Sequence, residues 1–160
     1  MGNFTKFCIA FLTAFLLFSF SNKTTTISHK TSKTLAAPDT LTWKLLGDIK
    51  YVKKNVKDYG EVEFPLVNAK LKSLAKKQVV ISGFIIPIDS KNFAISKNVF
   101  AACFFCGKSG PETIAGIKFK GVTPKLKTDQ YVTLKGTFRY NENDMDDWIY
   151  NIDNAEIIKK

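Results

Sequence analysis

The sequence predicts a mainly β fold, a small closed or part-closed barrel with one or two short helices. From Gln78 onward, short β-prone runs dominate, and the last long run alternates apolar with polar residues. Two of these runs also share a glycine, at Gly83 and Gly136, in the matching segments VVISG (79–83) and VTLKG (132–136). A glycine inside a strand often marks a sharp bend, so two bent strands among five or six short ones favour an OB-type barrel. An open sandwich with coincidental glycines is the alternative.

The N-terminal segment predicts export. Lys6 precedes an apolar run from Phe7 to Phe20, which suits a secretory signal peptide spanning residues 1–21; an uncleaved signal anchor is the alternative. Cys8 lies at the start of that run, so a lipoprotein is not expected. Residues 22–37 are polar and rich in Thr, Ser and Lys, which predicts a disordered linker. Residues 38–160 are expected to form a single OB-like domain without a transmembrane span, in the periplasm or cell envelope.

The elements before the barrel are predicted from spacing and breakers. Leu41 to Tyr59 mixes a near-helical apolar spacing with β-branched residues, which leaves helix and strand both open. Asn68 to Lys77 resembles a short amphipathic helix anchored by Leu71 and Leu74, and Pro65 precedes it as a breaker.

The expected barrel strands follow in order, separated by turn residues: Gln78–Ile88, Asn92–Ser96, Thr113–Lys120, Tyr131–Tyr140, Trp148–Ile152 and Ala155–Ile158. The acidic run Asn141–Asp147 lacks the sixth-position glycine of a calcium-binding EF-hand loop. It is therefore predicted to be a solvated hairpin connection.

Charge and histidine content restrict the function. The chain carries 24 basic and 14 acidic residues, a formal net charge of +10. One explanation of this surplus is a solvated lysine surface. The alternative is that the positive charge binds an anionic envelope surface or an acidic partner. Nucleic acid is not expected as a partner because the chain is predicted to be exported. The single histidine, His29, lies in the predicted linker, so a Ser-His-Asp hydrolase is not expected.

The segment from Cys103 to Glu112, CFFCGKSGPE, could carry chemistry. Cys103 and Cys106 have the C-x-x-C spacing of a tight disulfide or a bidentate soft-metal site. The flanking Gly107, Gly110 and Pro111 favour a loop around the two cysteines. Lys108 favours a lowered pKa of a nearby thiol, because its charge stabilises the thiolate.

Several established uses of a C-x-x-C pair do not fit the sequence. A thioredoxin motif begins a helix, c-type haem attachment needs a histidine after the second cysteine, and a P-loop needs a glycine where Ala102 stands. A closed zinc site needs four ligands, so a metal would require a carboxylate such as Asp89 or Glu112, or a second copy of the site. Three alternatives stay open: a structural disulfide, capture of zinc or copper(I), and thiol–disulfide exchange by Cys103 and Cys106.

Three motifs resemble a family of small exported bacterial proteins classed as a domain of unknown function. They are T-W-x-x-L at 42–46, L-x-x-K-x-V-x-I-x-G-F-x-x-P at 74–87 and A-C-F-F-C-G-x-x-G-P-E at 102–112, and the resemblance covers roughly residues 42–158. Lys76 stands where the family usually has glycine. The resemblance implies an OB-like fold, and relatives are sometimes encoded beside envelope transporters linked to metal supply, which implies metal handling. It implies no catalytic residues.

The sequence therefore favours an envelope binding module without catalytic activity, whose C-x-x-C loop binds a soft metal ion or a partner protein, such as an envelope transporter. The alternatives are a redox protein that uses the two cysteines and a structural adaptor stiffened by their disulfide.

Overall fold

A computed structural model describes residues 37–102, 107 and 109–160 of the chain. The elements are β1 (Asp39–Thr40), α1 (Trp43–Leu46), β2 (Ile49–Val56), β3 (Gly60–Val67), α2 (Ala69–Leu74), β4 (Gln78–Pro87), β5 (Phe93–Ser96), β6 (Ile114–Phe119), β7 (Tyr131–Tyr140) and β8 (Tyr150–Lys159), with 3-10 turns at Phe100–Ala102 and Pro111–Thr113. The predicted signal peptide, nearly all of the linker and both C-x-x-C cysteines lie outside the described residues. Within them, no helix has the length and apolarity that crossing a membrane requires.

Five strands close into a barrel in the order β4-β5-β6-β8-β7, and β7 pairs back with β4. β6 and β8 run parallel, and the other neighbouring barrel strands run antiparallel. This confirms the predicted small OB-like barrel with two short helices and excludes the open sandwich. The short β1 pairs in parallel with the start of β4.

Alternation along β4 and β7 builds the core. Val79 and Ile81 on β4 and Leu134 and Phe138 on β7 are buried. Residues that point to the other face, such as Val80, Lys135 and Thr137, are partly exposed. Because successive strand residues point to opposite faces, the period of two fills the barrel interior with apolar side chains. The observed bounds of β7 match the predicted ones, and those of β4 differ by one residue.

Gly83 and Gly136 sit where other strands approach closely. A Cβ on Gly83 would lie 2.5 Å from the backbone oxygen of Ser96, and one on Gly136 would lie 2.5 Å from Ile152 Cγ2. Beside Gly136 the β7–β8 register also shifts. The shared glycines are therefore sites of close approach in the closed barrel.

The segment from Leu41 to Tyr59 contains both of the predicted structures in succession. Thr42 caps the single turn of α1 by accepting a hydrogen bond from the Leu45 amide, and Gly47 ends that turn. The indole of Trp43 donates to the Ser82 carbonyl at 2.8 Å, which fixes α1 against β4. The chain then becomes β2, and β3 pairs with it as a separate two-stranded hairpin.

Three sequence predictions about local structure are corrected. Pro65 does not precede the helix as a breaker but lies within β3, and α2 ends at Leu74, three residues early. The two predicted C-terminal strands, Trp148–Ile152 and Ala155–Ile158, are one strand, β8. Asn154 lies between them at φ 52, and the pairing with β7 continues on either side of it. Trp148 precedes that strand.

We predict that Gly83→Ala destabilises the protein by about 1–3 kcal/mol, because the new methyl group must displace backbone rather than a flexible side chain. Gly47→Ala is the control: it lies at φ −74, and its Cβ would meet nothing closer than 3.3 Å. Urea unfolding of both variants measures the difference, and equal midpoints for Gly83→Ala and wild type would contradict the close approach.

Candidate functional site at one end of the barrel

The two long connections that follow β5 and β7 lie at the same end of the barrel. Ser96 at the end of β5 pairs with Ile114 at the start of β6, and Tyr140 at the end of β7 pairs with Tyr150 at the start of β8. Because β6 and β8 are parallel, both strands begin at that end. The β5–β6 connection therefore leaves and rejoins the barrel at the same end as the acidic β7–β8 connection.

Side-chain hydrogen bonds close the neck of the cysteine segment. Ser109 Oγ donates to the Ala102 carbonyl at 2.8 Å, and Asn98 Nδ2 donates to Ser109 Oγ at 2.7 Å. Asn98 is itself held in place, since its backbone N–H donates to Oγ of the fully buried Ser96 at 3.1 Å. Ala102 and Ser109, which flank the segment 103–108, are therefore held together. Cys103, Cys106 and Lys108 lie outside the described residues.

Beyond the neck, the chain places Glu112 back over Gly110. The space that a Cβ on Gly110 would need is taken by the Glu112 carboxylate. Pro111 starts the 3-10 turn that redirects the chain, and Thr113 Oγ1 donates to the Gly110 carbonyl at 2.7 Å. Gly107 adopts φ 66, the left-handed region that glycine tolerates without strain. The predicted site residues Gly110, Pro111 and Glu112 are thus brought together beside the neck.

Two phenols lie near Glu112: Tyr51, whose side chain is 38% exposed, and the fully buried Tyr150. Tyr51 Oη donates to Glu112 Oε2 at 3.1 Å, and burial, followed by the charge of Glu112, raises the Tyr51 pKa. Tyr150 Oη donates to the Leu46 carbonyl at 2.8 Å, and burial raises its pKa as well. Both phenols therefore remain protonated donors at neutral pH.

Asp89 lies elsewhere. It occupies the β4–β5 turn, at the opposite end of β5 from the cysteine segment, and it is exposed. Its carboxylate accepts hydrogen bonds from the Asn92 side chain at 2.6 Å and from the amides of Lys91 and Asn92, and these bonds lower its pKa. Asp89 therefore stabilises its own turn. Of the two carboxylates considered as metal ligands, the structure brings only Glu112 to the neck.

Among residues 37–102, 107 and 109–160, no group of three or more His, Cys, Asp or Glu side chains could hold a metal ion.

A cleft of about 410 Å³, which the sequence analysis missed, adjoins Pro111. One wall is the β2–β3 hairpin, the other is the β7–β8 connection, and we call this space the hairpin cleft. Its lining residues are Tyr51, Val62, Glu63, Phe64, Pro65, Pro111, Asn141, Asp144, Met145, Asp146, Asp147, Trp148 and Ile149. They come from four separate stretches of sequence, so no local pattern could have revealed them.

Glu142 holds the hairpin against the β7–β8 connection. Its carboxylate accepts a hydrogen bond from the Val67 backbone amide at 2.7 Å. It also forms an ion pair with Lys72 at 3.0 Å. From the other strand, Lys54 Nζ donates to Asn143 Oδ1 at 3.0 Å and lies 4.6 Å from the ring centroid of Phe64. These contacts set the separation of the two walls.

Arg139 fixes the other end of the connection. Its guanidinium pairs with Asp147 and, at 3.0 Å, with Asp153. Burial acts to raise the Asp147 pKa, but the hydrogen bond and charge of Arg139 outweigh burial and lower it. Asp147 therefore stays ionised and anchored at neutral pH.

Trp148 covers the outer face of β4–β6. A Cβ on Gly116 would lie 2.5 Å from its ring atom Cδ1, and the ring packs over the fully buried Ile86, Ala94 and Ile114. In OB folds, the face of the second and third barrel strands commonly binds oligonucleotides or oligosaccharides. In this chain that face is occupied by its own tryptophan. Whether nucleic acid binds stays a prediction.

Comparison with family models, curated proteins and solved structures finds no match for this chain.

We predict that Glu142→Ala loosens the hairpin and lowers stability by about 1–2 kcal/mol, because the Val67 amide loses its acceptor. Hydrogen exchange should increase in residues 49–67. Glu156→Ala is the control: it removes only the exposed pair with Lys120. Equal exchange in the two variants would show that Glu142 is not the anchor.

Proposed function

We propose that the chain is an exported binding module without catalytic activity, and that its Cys103/Cys106 loop captures a soft metal ion, zinc or copper(I). The observation that carries the proposal is the neck. Because Ser109 Oγ donates to the Ala102 carbonyl, the two residues that flank the segment 103–108, which carries both thiols, are held together beside the barrel. Sites supported by rigid elements hold their ligands in the most reproducible geometry.

Two thiolates alone are too few for a zinc site, which normally has four ligands. Glu112 supports the proposal because its carboxylate lies over Gly110, one residue past the neck. A carboxylate is an accepted zinc ligand. Water or a partner protein would complete the coordination, which suits a module that passes its metal to another envelope protein.

Tyr51 supports Glu112 in this role. A hydrogen-bond donor to a ligating carboxylate orients that ligand and tunes its basicity. The Tyr51 hydroxyl supplies such a bond at 3.1 Å from a strand of the hairpin. Capture, in this proposal, depends on the thiolates for affinity and on Glu112 for geometry.

We predict that the reduced full-length chain binds Zn²⁺ or Cu⁺ with sub-micromolar affinity and that Cys103→Ser or Cys106→Ser abolishes binding. Glu112→Gln and Tyr51→Phe should weaken it, the latter about tenfold or more as expected for a supporting residue. Asp89→Asn is the matched control, because Asp89 is a carboxylate at the opposite end of β5, and it should leave the affinity unchanged. Competition with a chromophoric chelator measures all five.

Failure of the reduced chain to bind either metal would contradict the proposal, as would equal losses in Asp89→Asn and Glu112→Gln. Native mass spectrometry of the exported protein gives the second test. A bound metal supports capture, whereas a disulfide with a reduction potential below about −300 mV would indicate a structural bridge. A more oxidising potential with rapid glutathione exchange, and no metal, would indicate redox function instead.

A further inference from the structure

The hairpin cleft has the size and lining of a small-molecule site. Its volume of about 410 Å³ falls within the usual range of roughly 300–1,000 Å³ for such sites. Tyr51, Phe64 and Trp148 contribute aromatic rings, and Met145 and the two prolines add further apolar surface. Such a lining favours a ligand with an apolar body.

The charge of the lining is opposite to that of the chain. Four of its residues are acidic, Glu63, Asp144, Asp146 and Asp147, and none is Lys or Arg, although the chain has 24 basic residues. Lys54 is not a lining residue, but its ammonium keeps its charge while it donates to Asn143 and lies 4.6 Å from the ring centroid of Phe64. The four carboxylates outnumber this one cation, so the cleft carries a net negative charge that favours a cationic ligand.

Among the described residues, Asp147 is the one of these four carboxylates with a counter-ion, and Asp144 accepts a hydrogen bond from the Asp146 amide. Arg139 pairs with Asp147, and the nearby Glu61 pairs with Lys53 at 2.7 Å. By contrast, the Glu63 and Asp146 carboxylates make no hydrogen bond or ion pair within the described part of the chain. Lys53, which lies directly across the hairpin from Glu63, is taken by Glu61. Neither carboxylate is therefore engaged by another described side chain.

The two unpaired carboxylates stand on opposite walls. Glu63 belongs to β3, and Asp146 belongs to the β7–β8 connection, with apolar side chains contributed by both walls. A ligand that satisfies both must carry at least two cationic groups separated by an apolar spacer. Aromatic faces add attraction for the same cations.

We propose that the hairpin cleft binds a linear organic polycation, with amine groups joined by methylene chains. One ammonium pairs with Glu63 and another with Asp146, and the methylenes lie against the aromatic rings between them. This site is distinct from the proposed metal loop and does not rest on it.

Calorimetric titration of the full-length chain with spermidine at low ionic strength tests the proposal. We expect saturable binding with one site per chain and no binding of 1,8-octanediol, which has a comparable methylene chain and no charge. Glu63→Gln and Asp146→Asn should each weaken binding about three- to fivefold, as the loss of one partly exposed ion pair would. Cys103→Ser should bind spermidine as wild type does, which separates this site from the metal proposal.

Glu156→Gln is the matched control, since Glu156 is an exposed carboxylate outside the cleft lining that pairs with Lys120, and its substitution should leave the affinity unchanged. Equal weakening by Glu156→Gln and Glu63→Gln would show that the binding is a diffuse surface effect and would overturn the proposal. Absence of saturable spermidine binding would overturn it too, even if a lysine-rich peptide bound, because that result would assign the cleft to a protein partner.

Discussion

The pairing of β4 with β7 is the constraint on which the rest of the structure depends. It runs over seven residue pairs, from Gln78 opposite Thr137 to Phe84 opposite Tyr131, and it turns a curved sheet into a closed barrel. Closure brings strands so near one another that Gly83 and Gly136 leave no room for a side chain. It also buries the apolar residues of both strands in one interior and removes the exposed edges that an open sheet would leave.

Closure also determines which connections emerge at the same end of the barrel. In this topology, the start of β6 and the start of β8 lie side by side, so the β5–β6 and β7–β8 connections emerge at the same end. The short β4–β5 turn lies at the opposite end of β5. Within it, the Asp89 carboxylate accepts hydrogen bonds from the backbone amides of Lys91 and Asn92. The barrel thus separates a compact turn from an end that carries a closed loop neck, an acidic connection and a hairpin held by Glu142.

The sequence was informative where side-chain alternation reports burial, and uninformative elsewhere. β4 and β7 each have one buried face, so their period of two predicted them almost to the residue. β2 is exposed along nearly its whole length, and its apolar residues Ile49, Val52 and Val56 happen to follow helical spacing. The hairpin, and with it one wall of the cleft, was therefore missed. The sequence could not tell which of the two carboxylates, Glu112 or Asp89, lies near the neck, since both lie on turns beside strands. The topology of the fold places them at opposite ends of β5.

Tyr51 joins the two proposed sites. Its ring lines the hairpin cleft, and its hydroxyl donates to the Glu112 carboxylate beside the loop neck. Because burial and the charge of Glu112 raise its pKa, this phenol stays a donor at neutral pH, so the link does not depend on protonation changes there. A ligand that packs against the ring restricts the hydroxyl that orients Glu112. In the two proposals taken together, occupancy of the cleft and the geometry of Glu112 are coupled through one side chain. Such coupling is reciprocal, so a metal held as proposed would alter the affinity of the cleft by the same factor.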